Sequence, residues 1–177
     1  MASHSCDYNQ AKIQASIQRR DIFLDGLPLT IHFLMIDKCN VRCIMCGGDY
    51  FRSTSGKMIT LEKFRTMAAN LKLENARAVV LAGAGDPLLN RDLVEIVRFI
   101  NSRLPHIAIS ITTNGLSLTE SLSRSLLACN IQQVNISINS ATRETYQRIM
   151  QIDGFDSVCR QAKAFPPPWS MNSPGYS

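Results

Sequence analysis

Short apolar runs alternate with amphipathic stretches along most of this chain. Ile31–Ile36, Ala78–Ala82, Ile107–Thr112 and Gln133–Ile138 read as strands. The stretches around them read as helices. Gln10–Arg20, after a loose start, has Ile13 and Ile17 one turn apart, and Asp25-Gly26 with Pro28 then makes a turn. Thr60 can cap a helix to Leu73 whose one face holds Leu61, Phe64, Met67, Ala68 and Leu71. Asn90 can cap the next, with a stripe of Leu93, Val97, Ile100 and Leu104 ended by Pro105. Thr119–Cys129, Thr142–Met150 and, after the Asp153-Gly154 turn, Asp156–Phe165 complete the series.

Strand followed by helix, repeated, predicts an α/β fold of parallel strands joined by right-handed crossovers. Continuous apolar strands fit a sheet covered by helices on one face and packed on the other. The pattern leaves a doubly wound sheet and a barrel or part-barrel both open. Residues 1–28 form a helical lead-in and 29–165 the α/β unit. Pro166–Ser177 opens with three prolines, which fit neither a helix interior nor a central strand, and is expected to be a disordered tail. A further strand is due near Phe165, so the chain is expected to stop short of a complete unit.

Composition narrows the function class. A chain of 177 residues, 45% of them hydrophobic, suffices for one well-packed domain. The net charge of +5 is spread over helices without interleaved aromatics, which makes nucleic acid an unlikely partner. No apolar leader and no window near the ~18 apolar residues of a membrane span is present, so a cytoplasmic location is expected. Three of the six cysteines fall between Cys39 and Cys46. In a reducing compartment, clustered thiols are more often metal ligands than disulfides. Cys129 and Cys159 read as core or helix-face residues, and Cys6 as an ordinary thiol in a loose segment.

Cys39, Cys43 and Cys46 form a Cys-x3-Cys-x2-Cys run directly after the first strand. A short loop with these spacings can turn three thiolates to one concave side. Four-iron clusters usually take four cysteines, so three would leave one iron open to another ligand. Zinc is the rival, with Cys6, His32 or Cys129 as a fourth ligand. Gly83-Ala84-Gly85-Asp86-Pro87 follows the second strand and Thr113-Asn114-Gly115 the third. Either is a turn by itself, or a place where a ligand nears the backbone. Asn135, Ser137 and Asn139 share one strand face by the period of two and form a hydrogen-bonding row.

These motifs, taken together and in order, resemble the radical S-adenosylmethionine (SAM) superfamily, in particular members with SPASM-type extensions. The resemblance runs from about Leu29 to Phe165 and includes NISINSATRETYQRIM, Asn135–Met150. It implies a partial (β/α) barrel with about four of six strand–helix units. It implies a [4Fe–4S] cluster on Cys39, Cys43 and Cys46, with SAM on the open iron. Gly83, Ala84, Gly85 and Asp86 would bind the amino group of SAM, although the family commonly has Gly at the place of Ala84 and Glu at that of Asp86. Asn114 would face the pocket, and Ser137 and Asn139 would contact the ribose or carboxylate. Met45 stands where an aromatic often covers the adenine. The implied activity is reductive cleavage of SAM to a 5′-deoxyadenosyl radical that abstracts hydrogen from an unknown substrate, with flavodoxin or ferredoxin as the electron donor. No side chain stands out as a catalytic acid or base. The alternative is a catalytically incompetent fragment that binds an iron–sulfur cluster or zinc. The placement of all four motifs at strand exits supports a shared pocket independently, because ligands gather at that edge of parallel sheets.

Overall fold

The structure, a computed structural model, describes residues 3–46 and 55–165. The expected tail, 166–177, lies outside the described residues. Four strands, β1 (Thr30–Leu34), β2 (Ala78–Ala82), β3 (Ala108–Thr113) and β4 (Gln133–Ile136), form one sheet in the order β1-β2-β3-β4. Every pairing is parallel, with Phe33 opposite Leu81, Leu81 opposite Ile111 and Ile111 opposite Val134. The helices are α1 (Ser3–Arg19), α2 (Leu61–Asn70), α3 (Leu93–Arg103), α4 (Glu120–Leu127), α5 (Arg143–Met150) and α6 (Phe155–Ala164). The result is an open arc of parallel strands, as expected of a partial (β/α) barrel.

The period of two decides which face is covered. Phe33, Val79, Leu81, Ile109 and Ile111 are buried against Phe64, Leu93, Ile96, Val97, Ile100 and Leu126 of α2, α3 and α4. The opposite face carries His32, Leu34, Ala82, Ser110, Thr112 and Asn135, and none of these is buried. The second packed face read from the strands is therefore not present among the described residues. Leu34 on this face stays 59% exposed, and the other side chains named are small or polar.

Helix caps hold where they are local. The Thr60, Thr119 and Thr142 side chains accept the backbone N–H three residues on and start α2, α4 and α5. Helix α2 stops at Asn70 rather than Leu73, because Lys72 turns left-handed (φ 49°) and Leu73 joins a separate, buried 3₁₀ turn. Asn90 does not cap α3. Its amide oxygen accepts the Asp92 N–H at 2.8 Å, one residue short of the helix, while its nitrogen donates to the Met35 and Ile59 carbonyls, at 2.8 and 2.9 Å, and α3 begins only at Leu93.

The amino-terminal segment is a helix from Ser3, not a loose lead-in to Gln10. Its inner face is partly polar, which hid it from apolar periodicity. The buried Asn9 side chain accepts the Leu27 N–H and donates to the Leu27 and Asn75 carbonyls, and Ser16 accepts the Asp25 N–H. Cys6 is buried within this helix, 4% exposed, and burial pushes its thiol pKa up.

Strands β1 and β4 both end early. Ile36 lies beyond the ladder, in an isolated antiparallel bridge to Met58. Beyond Ile136, Ser137 still donates its N–H to the Thr113 carbonyl, but Asn139 is left-handed (φ 56°). The polar row of Asn135, Ser137 and Asn139 is thus not one strand face.

Candidate functional site

The loops after all four strands lie along one edge of the sheet, and hydrogen bonds lock three of them together. Gly85 and Asp86 donate their backbone N–H groups to the carbonyls of Ile36 and Lys38, at 3.1 and 3.0 Å. That approach requires glycine, since a Cβ on Gly85 would stand 2.2 Å from the Lys38 carbonyl oxygen. Gly83 (φ 136°) lets the same loop pass over Leu34. The segment entering the cysteine run is therefore laid directly on the GAGDP loop.

Asp86 is 3% exposed, and its carboxylate accepts from Leu88 N–H, Thr113 Oγ1 and Asn114 N–H. Its charge serves the loop after β3, not an open cavity. Asn114, 6% exposed, accepts the Leu116 N–H at 2.9 Å. Its amide nitrogen donates to Asn40 Oδ1 at 2.7 Å and to Cys39 Sγ at 3.6 Å. Asn40 in turn donates to Ser117 Oγ at 3.0 Å. Sequence reasoning missed Asn40 and Ser117, and adjacency to Cys39 was the one signal that pointed at Asn40.

The cysteine loop rests on the end of α5. Arg42 and Ile44 donate their N–H groups to the Met150 and Ile149 carbonyls, and Cys43 Sγ lies 3.4 Å from Met150 Sδ. Beneath it, Val41, Tyr146, Met150 and Val158 form a second small core, with Cys43 and Cys159 against it. Tyr146 is fully buried and its hydroxyl has no hydrogen-bond partner among the described residues. Burial, then the nearby Cys43 and Cys159 sulfurs, pushes its pKa up. Cys46 lines a cavity of about 360 Å³ with His32, Phe33, Leu34, Ala82, Gly83 and Ala84. Met45 is 54% exposed. Ser137 is half-buried and Asn139 exposed, with the Asn139 amide 3.8 Å from Met150 Sδ.

None of the described cysteines forms a disulfide. Cys39 is exposed as a residue, yet burial of its sulfur is the main influence on the thiol and pushes its pKa up. The Val41 N–H opposes this, the Asp86 charge adds to it, and the Asn114 and Asn40 donors oppose it again. No three Cys, His, Asp or Glu side chains among the described residues stand ready as a metal-binding group. The donor set nevertheless fits a thiolate-bound cluster: three soft sulfurs on one short loop, with an amide donor already on one of them. Binding would draw the sulfurs together, as is usual where ligation and local folding are coupled. Of the candidate fourth ligands for zinc, Cys6 is buried in α1, which packs on the turn preceding β2, and Cys129 precedes β4. Both lie at the opposite edge of the sheet, whereas His32, the third candidate, lines the same cavity as Cys46.

The chain matches the radical SAM superfamily over residues 33–165 and belongs to it. Enzymes of this superfamily use a [4Fe–4S] cluster and SAM. It is 32% identical over 134 residues to a probable GTP 3′,8-cyclase of Thermococcus kodakarensis, covering 75% of this chain and 42% of that protein. A probable GTP 3′,8-cyclase of Methanothermobacter thermautotrophicus is 35% identical over 136 residues, covering 75% and 43%. This chain thus spans under half the length of these relatives. Among solved structures, Streptococcus suis SuiB bound to SAM aligns with a TM-score of 0.66 at 19% identity, over 89% of this chain and 35% of that one. The SAM-bound anSMEcpe structure aligns at 0.57 and 25% identity, over 79% and 40%. No helix among the described residues is long and apolar enough to cross a membrane.

Proposed function

We propose that this chain is the cluster- and SAM-binding part of a radical SAM enzyme. The observation that carries the reading is the interlocked edge, where the Cys39–Cys46 loop, the Gly83–Asp86 loop and the Thr113–Gly115 loop are joined by hydrogen bonds. When bound, the cluster and SAM supply one-electron cleavage of the sulfonium to methionine and a 5′-deoxyadenosyl radical that abstracts hydrogen from substrate.

The chain's own residues have narrower tasks. Cys39, Cys43 and Cys46 hold the cluster and leave one iron for SAM. The backbone of Gly83 and Ala84 lines the cavity that Cys46 enters and is the place for the methionine end of SAM, with Gly85 holding the loop against the cysteine segment. Asn139 and Ser137, at the exit of β4, bind polar atoms of the nucleoside, and Met45 covers an apolar face of the ring. The half-open sheet face with Ser110 and Thr112 is available to substrate. The relatives' names make GTP the first substrate to assay, with flavodoxin or ferredoxin as reductant in a cytoplasmic setting.

The test is anaerobic reconstitution with iron and sulfide, followed by chromatography for 5′-deoxyadenosine after reduction with SAM. Four irons per chain and formation of 5′-deoxyadenosine support the proposal. Bound zinc or an inert cluster would favour a metal-binding segment without this activity.

A further inference from the structure

We propose that Asn114 is a positioning residue for the cluster, donating its side-chain amide to the Cys39 sulfur and held there by Asp86. The inference rests on the cluster reading above and deepens it.

The orientation of the Asn114 amide is fixed from three sides. Its oxygen accepts the Leu116 N–H, and its nitrogen faces Asn40 Oδ1 and Cys39 Sγ. A flipped amide would set oxygen against oxygen, oxygen against sulfur and nitrogen against an N–H, losing all three bonds. Asn40 is itself fixed by donating to Ser117 Oγ. Two of the amide's roles need two different hydrogens, so the Asn40 and Cys39 contacts do not compete.

Asp86 supplies the backbone half of the arrangement. Its N–H is tied to the Lys38 carbonyl, one residue before Cys39, and its Oδ2 accepts the Asn114 N–H at 2.7 Å. Lys38, Asp86, Asn114 and Cys39 thus close a ring of contacts that sets the distance between the third loop and the first cysteine. Asp86 stands where resemblance puts a ligand for the SAM amino group, but three protein donors already occupy its carboxylate. Its work is to aim Asn114.

An N–H donor to a cysteine sulfur strengthens when the sulfur carries more negative charge. It therefore favours the reduced cluster over the oxidised one and raises the reduction potential. This property belongs to the cluster before SAM arrives, which separates it from SAM binding.

The experiment measures the midpoint potential of the reconstituted, SAM-free cluster by paramagnetic-resonance-monitored titration. Unchanged protein is compared with Asn114→Ala, Asn114→Ser, Asn40→Ala and Asp86→Ala. Asn114→Ser keeps an oxygen that can accept the Leu116 N–H but has no donor long enough for Cys39. Both Asn114 variants are expected to move the potential to more negative values, and Asn40→Ala, which keeps the amide donor but removes one of its three restraints, by less. An Asn114→Ser chain with native circular dichroism that sheds iron, where the unchanged protein keeps it, also supports the role. An unchanged potential in both Asn114 variants overturns it. An Asp86→Ala chain that loses only SAM affinity returns Asp86 to the ligand role. If the unchanged protein takes up no cluster, the functional proposal itself falls, a result distinct from any of these.

Discussion

The Thr113 hydroxyl donates to both oxygens of the Asp86 carboxylate, at 2.9 and 2.7 Å, and so joins the exits of β2 and β3 inside the protein. Neither side chain is more than 3% exposed, and Asn114 and Leu88 N–H groups complete the carboxylate's partners. Replacing Asp86 by Ala strands buried donors at a site that water cannot easily reach. Each such group costs about 1–3 kcal/mol, so the metal-free Asp86→Ala chain is expected to lose roughly 2–4 kcal/mol. Urea denaturation checks this, and a loss below about 0.5 kcal/mol would mean that the loops are not held through this carboxylate.

Gly85→Ala attacks the same junction from the other side. The added methyl would meet the Lys38 carbonyl well inside contact distance, with backbone on both sides and no flexible side chain to yield. Overpacking of this kind costs about 1–3 kcal/mol, and the cysteine loop would be pushed off the GAGDP loop. Reduced thermal stability together with poor iron retention is expected. Wild-type iron content in the variant would show that the docking does not matter to the cluster.

Tyr146 gives a prediction of opposite sign. Its hydroxyl is buried without a partner among the described residues, so removing it as Phe relieves an unsatisfied group instead of breaking a bond. The metal-free Tyr146→Phe chain is expected to be as stable as the parent or up to about 1 kcal/mol more stable. The pKa of Tyr146 is raised by burial, so between the ordinary tyrosine value and the raised one the unfolded chain ionises first. The unfolded state then binds fewer protons, and stability falls as pH rises through that window. Chemical denaturation across alkaline pH should show a shallower fall in Tyr146→Phe; parallel curves would contradict the assignment.

How much of this was legible from the sequence follows from the reach of each interaction. The caps at Thr60, Thr119 and Thr142 were readable because a threonine oxygen and the backbone N–H it accepts are three residues apart. Strand β2 was readable because Ala78–Ala82 is uniformly apolar and bounded on both sides. Asn90 was legible only in part: its oxygen does accept the Asp92 N–H, but its nitrogen's partners, the Met35 and Ile59 carbonyls, come from distant segments that leave no local trace. The start of α1 was missed because its buried positions include Asn9 and Ser16, which count as polar in any periodicity. The cysteine run and the two turn motifs stood out in the sequence and lie on one edge, as their strand-exit positions implied. The partners of Asp86 did not stand out, since Thr113 is 27 residues away. The polar row at Asn135, Ser137 and Asn139 failed because a left-handed residue breaks the period of two that the argument assumed.

The cysteines divide into two sets with different expected behaviour. Alanine at Cys39, Cys43 or Cys46 leaves two thiolates, too few to keep four irons, and should remove the cluster. Alanine at Cys129, which donates to the Ser125 carbonyl, or at Cys159 in the second core, should cost some packing and leave iron in place. Cys6→Ala falls in the same set. Iron and sulfide counting after anaerobic reconstitution checks both halves, and full iron in Cys43→Ala would break the assignment.

The central claim, that three thiolates hold a cluster with one iron left for SAM, is tested most directly by paramagnetic resonance of the reduced, reconstituted protein. The spectrum is recorded with and without SAM. The account predicts that SAM changes the signal, because its amino and carboxylate groups take a coordination position no residue fills. Identical spectra at saturating SAM would mean a fourth protein ligand and would contradict the account.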